Sequence, residues 1–168
     1  MAVDVTTQAN GSAVVELGGT KVLASVHGPR GAANLDFSES AVLSCEVKFA
    51  TFASPTRRDH MQDDEERKLS LTLQAALAPA VRLAKYPKSS IEISVLVIQA
   101  AGSALAAAVT CASLALAAAG IEMFDLVTCC SAAVRFCCVC FVLFCLFVCV
   151  VVNSFFAQHR RCATASNS

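Results

Sequence analysis

A short polar turn between two apolar segments is the first place in this sequence where chemistry is expected. Residues 91–98 read Ile-Glu-Ile-Ser-Val-Leu-Val-Ile, which is typical of a strand buried on both faces. Residues 104–119 carry no charge and are rich in alanine, which favours a helix that Gly120 would end. Gly102 and Ser103 lie between them. Because the amide groups at a helix N-terminus attract anions, this turn is the candidate phosphate site.

Four cations are the other candidates for contact with an anion. Arg57 and Arg58 lie in a polar loop, and Arg67 and Lys68 open a segment of helical periodicity. Basic side chains in such positions contact nucleic-acid phosphates without reading sequence. The alternative is a solvated surface that nearby acids neutralise, namely Asp59, Asp63, Asp64, Glu65 and Glu66.

The remaining polar and sulfur side chains give no catalytic pattern. The sequence has no Ser-His-Asp order, Walker loop or dinucleotide fingerprint, and no cofactor is expected. His27 and His60 are each more typical of structural histidines than of catalytic ones. Cys45 and Cys111 are interpreted as small buried apolar residues.

Composition bounds the class of protein. The 168 residues are enough for one domain, and 13 basic residues balance 13 acidic ones, so no global field favours nucleic acid. Hydrophobic residues make up 56% of the chain and are concentrated after Leu126. The N-terminus has no basic region followed by an apolar run, so no secretory signal is expected and the cysteines are predicted to be reduced.

The elements that must position the candidate site follow from periodicity. Residues 12–17 and 21–26 read as strands joined by a tight turn at Gly18 and Gly19. A third strand is predicted over 42–52, and a helix over 65–85 that Pro79 kinks or splits. With residues 126–134 as a further buried strand, the expected class is α/β (α+β), a mixed sheet with packed helices.

These segments, in this order, resemble the RNase PH family over about residues 11–134. The resemblance is carried by Gly11-Ser12-Ala13, Gly19-Thr20-Lys21-Val22-Leu23-Ala24, Gly28-Pro29-Arg30, residues 45–52, Glu66-Arg67-Lys68-Leu69, Tyr86-Pro87, residues 91–119 and Ala119-Gly120-Ile121-Glu122-Met123-Phe124-Asp125-Leu126-Val127. Residues 102–108 and 122–125 look most like a branch of eukaryotic exosome ring subunits.

The resemblance implies a protein that acts within an assembly. Its partners would be other RNase PH-like subunits in a hetero-hexameric ring, the cap subunits above that ring, and RNA threaded through the pore. The work of such an assembly is 3′–5′ RNA processing and degradation in the nucleus, the nucleolus and the cytoplasm. Within it, Arg57, Arg58, Arg67 and Lys68 would contact RNA at the ring entrance.

The resemblance also implies a site that has lost catalysis. Phosphorolytic members of the family carry Asp-Gly-Gly-Thr-Arg at the turn after the buried strand, whereas this chain has Ala101, Gly102, Ser103, Ala104 and Leu105 there. A leucine offers no donor to phosphate. The family's catalytic aspartate lies in a second half that these residues do not include. The favoured function is a non-catalytic ring subunit; the alternatives are a phosphate-dependent 3′–5′ exoribonuclease and a membrane-anchored protein with a truncated RNase PH-like domain.

The chain is expected to have three parts: a flexible segment 1–11, an RNase PH-like domain 12–134 with an incomplete second half, and a hydrophobic, cysteine-rich tail 135–168. The incomplete sheet is expected to expose an apolar face and an open edge. Residues 136–157 hold no charge and as a helix would extend about 33 Å, so any membrane contact would be made only there.

Three interpretations of the tail remain. It is a membrane span, a cysteine metal site around Cys137 and Cys140, or the product of a replaced reading frame. A span would carry Arg160 and Arg161 across the membrane, against the usual basic bias. The metal site lacks a second ligand pair at suitable spacing. The low-complexity Phe/Cys/Val content favours the replaced frame.

Overall fold

The hairpin predicted from two glycines organises the first part of the sheet. The computed structural model describes residues 1–31, 39–55, 57–58, 61 and 63–132. Strand β2 (Gly11–Leu17) and strand β3 (Thr20–Gly31) pair antiparallel, with Leu17 opposite Thr20. Gly18 has φ +58°, which a side chain disfavours and glycine adopts freely. The expected tight turn is therefore confirmed.

Five strands form a single mixed sheet in the described residues. The other three are β1 (Ala2–Val3), β4 (Val42–Phe49) and β5 (Ser89–Gln99), and the order is β1-β2-β3-β5-β4. Only β4 and β5 run parallel among the neighbouring pairs. Helix α1 (Asp64–Leu77) precedes β5 and helix α2 (Ala104–Ala118) follows it. The predicted α/β class with a mixed sheet is confirmed, and residues Met1–Ser131 form one compact unit.

The prediction that the central strand is buried on both faces is wrong. In β5, Ile91, Ile93, Val95 and Val97 are buried, whereas the residues between them are exposed, Leu96 to 39%. Both helices share one core with the buried set, so within the described parts of the chain they cover that face of the sheet. The continuous apolar run that suggested double burial includes Leu96 and Ile98, which lie on the open face of the sheet.

Helix α1 begins and ends where its sequence specifies. Asp63 caps its N-terminus and forms a capping box with Glu66. The helix ends at Leu77, two residues before Pro79, because proline cannot continue the hydrogen-bond ladder. A short 3₁₀ turn (Leu83–Lys85) follows. The expected split at Pro79 is thus observed, and Arg82 and Lys85 lie beyond the helix.

The outer edge of β4 is partly covered by side chains of helix α1. Three polar side chains, spaced one helical turn apart on α1, form hydrogen bonds with the backbone of β4. The bonds are Phe49 N to Glu66 Oε1 at 2.9 Å, Val47 N to Ser70 Oγ at 2.9 Å, and Gln74 Nε2 to Leu43 O at 2.8 Å. Two amide groups and one carbonyl group on this edge are therefore already engaged, which leaves fewer backbone groups free to pair with another chain.

Helix α2 lies directly against β2 and β3. Its Cys111 thiol donates to the carbonyl oxygen of Ala13 at 3.1 Å, across the helix–sheet interface. Burial raises the pKa of Cys111 to about 11 and that of Cys45 to about 12, so both thiols stay protonated at neutral pH. Gly120, with φ +69°, follows the helix in the left-handed conformation that the sequence predicted.

The segment predicted as a last buried strand is not one in its described part. Residues 126–132 have no strand pairing, and Leu126 is 53% exposed. The amide groups of Val127 and Cys129 instead donate to the hydroxyl oxygens of Ser113 and Thr110 on α2. The segment therefore follows the helix, which its apolar composition alone could not show.

Predictions were also made for the first residues of the chain and for its hydrophobic tail. Residues 1–11, expected to be flexible, include β1, which pairs with β2 at Ala2 and Val3. No helix in the described parts is long and apolar enough to cross a membrane, and no metal-ligand cluster occurs there. The predictions for 136–157, Cys137 and Cys140 lie outside the described residues.

Candidate functional site

The loop after β4 and the turn after β5 leave the sheet at the same end. Because β4 and β5 are parallel, Phe49 lies beside Val97 near the carboxyl ends of both strands. The amide group of Ala100 donates to the carbonyl oxygen of Ala53 at 3.0 Å, which joins the two connections directly. The fold thus brings the candidate phosphate turn and the arginine loop to one edge, where loops of α/β proteins usually hold their ligands.

Thr20 holds the candidate phosphate turn in place. Its side chain is buried; its hydroxyl donates to Gly102 O at 2.5 Å and accepts from Ala101 N at 3.2 Å. Gly102 has φ +109° and Ser103 has φ +59°, so two successive residues adopt left-handed backbone conformations before α2 begins. Thr20 lies 81 residues before Ala101 in the sequence, so these hydrogen bonds join distant parts of the chain.

Ser103 is the hydroxyl that could bind an anion at this turn, but the helix does not use it as a cap. Its side chain makes no hydrogen bond to the first amide groups of α2. The hydroxyl is instead hydrogen-bonded to that of Ser131. The turn therefore offers an anion one neutral hydroxyl that already has a partner.

Leu105, at the position expected to hold the phosphate-binding arginine, packs into the protein. Its side chain is half-buried and lines an apolar gap with Val47, Leu69 and Val97 that has no room for a water molecule. Ala104 and Ala108 of the same helix complete the lining. Leu105 therefore joins α1, α2 and the sheet, and it presents no donor to the end of the strand.

The two arginines of the loop have different surroundings. The Arg58 guanidinium lies 4.4 Å from the centre of the Phe49 ring and pairs with Glu65 at 3.2 Å. Its backbone amide also donates to Thr51 O at 3.2 Å, so the loop folds back on itself. Arg57 is exposed. Of the pair, Arg57 is therefore the one whose charge faces solvent, while Arg58 has a structural role in the fold.

The other predicted RNA contacts lie on α1. Arg67 and Lys68 are both exposed in the first half of the helix. Their assignment to RNA stays a prediction, as do those of Arg57 and Arg58. Sequence reasoning missed Thr20 and Phe52; the latter is 74% exposed at the turn after β4. Phe52 had a weak signal, an aromatic residue just before the Ala-Ser-Pro segment that ends a strand.

The sequence of this chain matches a known protein family. Residues 1–122 match the sequence model of RNase PH, described as the 3′ exoribonuclease family, domain 1. The chain belongs to the RNase PH family. The resemblance stated from the residues is thereby confirmed, and the match covers every strand and helix described above.

The chain is similar to proteins named as exosome components and to a solved structure. The human protein named exosome complex component MTR3 is 47% identical over 138 residues, which cover 74% of this chain and 51% of that protein. The Pyrococcus horikoshii protein named exosome complex component Rrp41 is 39% identical over 134 residues, covering 79% and 54%. The crystal structure of rice Rrp46 superimposes with a TM-score of 0.63 at 27% identity, over 74% of this chain and 57% of that one. The chain spans about half the length of the relatives it matches.

Proposed function

We propose that this chain acts as an exosome ring subunit that contributes structure and RNA contacts to the ring but no phosphorolysis. Its place would be among other RNase PH-like subunits and the cap subunits, in 3′–5′ RNA processing and degradation. Membership of the RNase PH family and similarity to proteins named as exosome components support the ring role. The proposal includes residence in the nucleus and the cytoplasm, which cell fractionation tests.

The packing of Leu105 is the observation that carries the non-catalytic part. Phosphorolysis requires the site to hold inorganic phosphate beside the polyanionic end of an RNA, which takes fixed cationic donors. In the described residues, Leu105 in the first turn of α2 lines an apolar gap with Leu69 and Val47, and the hydroxyl of Ser103 is hydrogen-bonded to Ser131. One neutral hydrogen bond contributes about 1 kcal/mol net, too little to offset the repulsion between two anions.

The ring role predicts a stable complex that forms without RNA. The full chain, mixed with the other RNase PH-like exosome subunits of the same source after nuclease treatment, should co-elute with them in a stoichiometric complex. Size-exclusion chromatography with light scattering measures the mass. A ring that assembles fully from the other subunits while this chain elutes separately would contradict the proposal.

A further inference from the structure

Phe52 is the largest apolar side chain that the fold leaves unused at the candidate edge. The amide group of Ala53 donates to Ala50 O at 2.9 Å, which closes a tight turn with Thr51 and Phe52 at its corner. The Phe52 side chain is 74% exposed, whereas Ala53 is buried. A hydrogen-bonded turn holds this aromatic ring in solvent, where it contributes little to the core. An exposed ring of this kind is a candidate for contact with a ligand.

An open groove lies beside this ring. It has a volume of about 420 Å³, within the usual range of about 300–1,000 Å³ for small-molecule sites. Pro55 and Ile98 give it apolar walls, and Gln99 adds an exposed amide that both donates and accepts hydrogen bonds. Both walls are fixed, because the Ala100–Ala53 bond ties the loop to the end of β5.

An exposed cation two residues beyond the groove lining favours an anionic occupant. Arg57 is exposed in the same loop, and the Arg58 amide group bonds to Thr51, the residue before Phe52. The Arg58 side chain is engaged by Phe49 and Glu65, so Arg57 supplies the cation that faces solvent. A flat aromatic ring, a polar amide and a nearby cation match a base and its phosphate in a single strand.

We propose that Phe52 and the groove beside it form a stacking site for one base of single-stranded RNA, with Arg57 on the adjacent phosphate. The proposal rests on the proposed function for its choice of RNA as the ligand. Stacking is sequence-tolerant, because every base has a face to stack. The site would therefore hold a passing strand at this edge without selecting its sequence.

The chain offers a specific reporter for this site. It contains no tryptophan, so Phe52→Trp introduces a unique fluorophore that keeps the stacking surface. A short oligouridylate should quench the emission of the full-length F52W chain. An abasic oligomer of equal charge should bind more weakly and leave the emission nearly unchanged. Equal quenching by both oligomers would assign the change to charge alone and overturn the proposal.

Truncation of the ring measures its contribution. Phe52→Ala should weaken binding of the oligouridylate by about ten-fold, as for the loss of one stacked base. The matched control is Phe124→Ala, since Phe124 is 63% exposed but has the Arg82 guanidinium 4.7 Å from its ring centre. That control should bind as the unmodified chain does. Arg57→Ala should chiefly reduce the dependence of affinity on salt.

Three results would overturn the stacking site. They are unchanged affinity in the F52A variant, no measurable RNA binding by the full chain, and a change in F52W emission caused by an RNase PH-like partner subunit without RNA, which would assign the groove to a protein interface. The assembly experiment above contains no RNA. Failure of the stacking site is therefore distinguishable from failure of the ring role.

Discussion

Replacing Gly11 with alanine is expected to destabilise the domain by about 3 kcal/mol, because the added methyl group has no space. Gly11 opens β2 where the last turn of α2 crosses it. A Cβ atom there would lie 2.3 Å from Ala119 N, 2.5 Å from Ala115 O and 2.7 Å from Ala119 Cα. All three are backbone atoms that cannot rotate away, so the helix must move off the sheet.

The measurement for Gly11 is the free energy of unfolding from urea denaturation followed by circular dichroism. Gly31→Ala is the matched control, because Gly31 also lies in a strand and a Cβ atom there would meet no atom of the described residues within 4 Å. The control should change stability by less than about 0.5 kcal/mol. Equal stabilities of the two variants would show that α2 does not lie on β2 as described.

Replacing Glu66 with alanine is expected to destabilise the domain by about 2–4 kcal/mol. The side chain is 6% exposed and bonds at both oxygens, to Phe49 N at 2.9 Å and to Asp63 N at 3.3 Å. Its loss leaves the Phe49 amide group without its acceptor on the covered edge and removes half of the capping box. Both losses act at the junction between β4 and α1.

Glu65→Ala is the control for Glu66, since the neighbouring carboxylate is exposed and pairs with Arg58 at the surface. An exposed pair contributes about 0.2–1 kcal/mol, so this variant should unfold close to the unmodified chain. Glu66→Gln, which keeps an acceptor oxygen for Phe49, should recover part of the loss. If Glu66→Ala and Glu65→Ala prove equally stable, the hydrogen bond between the Glu66 side chain on α1 and the β4 backbone is not formed.

The features of the fold that adjacent residues determine were predicted correctly from the sequence. The tight turn at Gly18 and Gly19, the end of α1 before Pro79 and the left-handed cap at Gly120 depend only on backbone chemistry at those residues. The two wrong predictions concerned burial. Leu96 reads as core by composition, and residues 126–134 read as a strand, which their described part, 126–132, does not form; both outcomes depend on which faces other elements cover.

Part of the candidate site could be predicted from the sequence, and part depends on contacts that form only in the folded chain. The absence of an arginine at position 105 is readable from the sequence, whereas the packing of Leu105 against Leu69 follows from how α1 and α2 meet. The difference between Arg57 and Arg58 was invisible, because Phe49 and Glu65 approach Arg58 only in the folded chain. Thr20 was missed since its partners lie 81 and 82 residues away.

An RNA decay assay with and without inorganic phosphate tests the central claim, that the β5–α2 turn packs rather than binds phosphate. The purified full chain is incubated with a 3′-labelled RNA, and nucleoside diphosphate release is measured. No phosphate-dependent release is predicted, because Leu105 supplies no cation and Ser103 is bonded to Ser131. Phosphate-dependent release of nucleoside diphosphates by the unmodified chain, lost in Ser103→Ala, would contradict it.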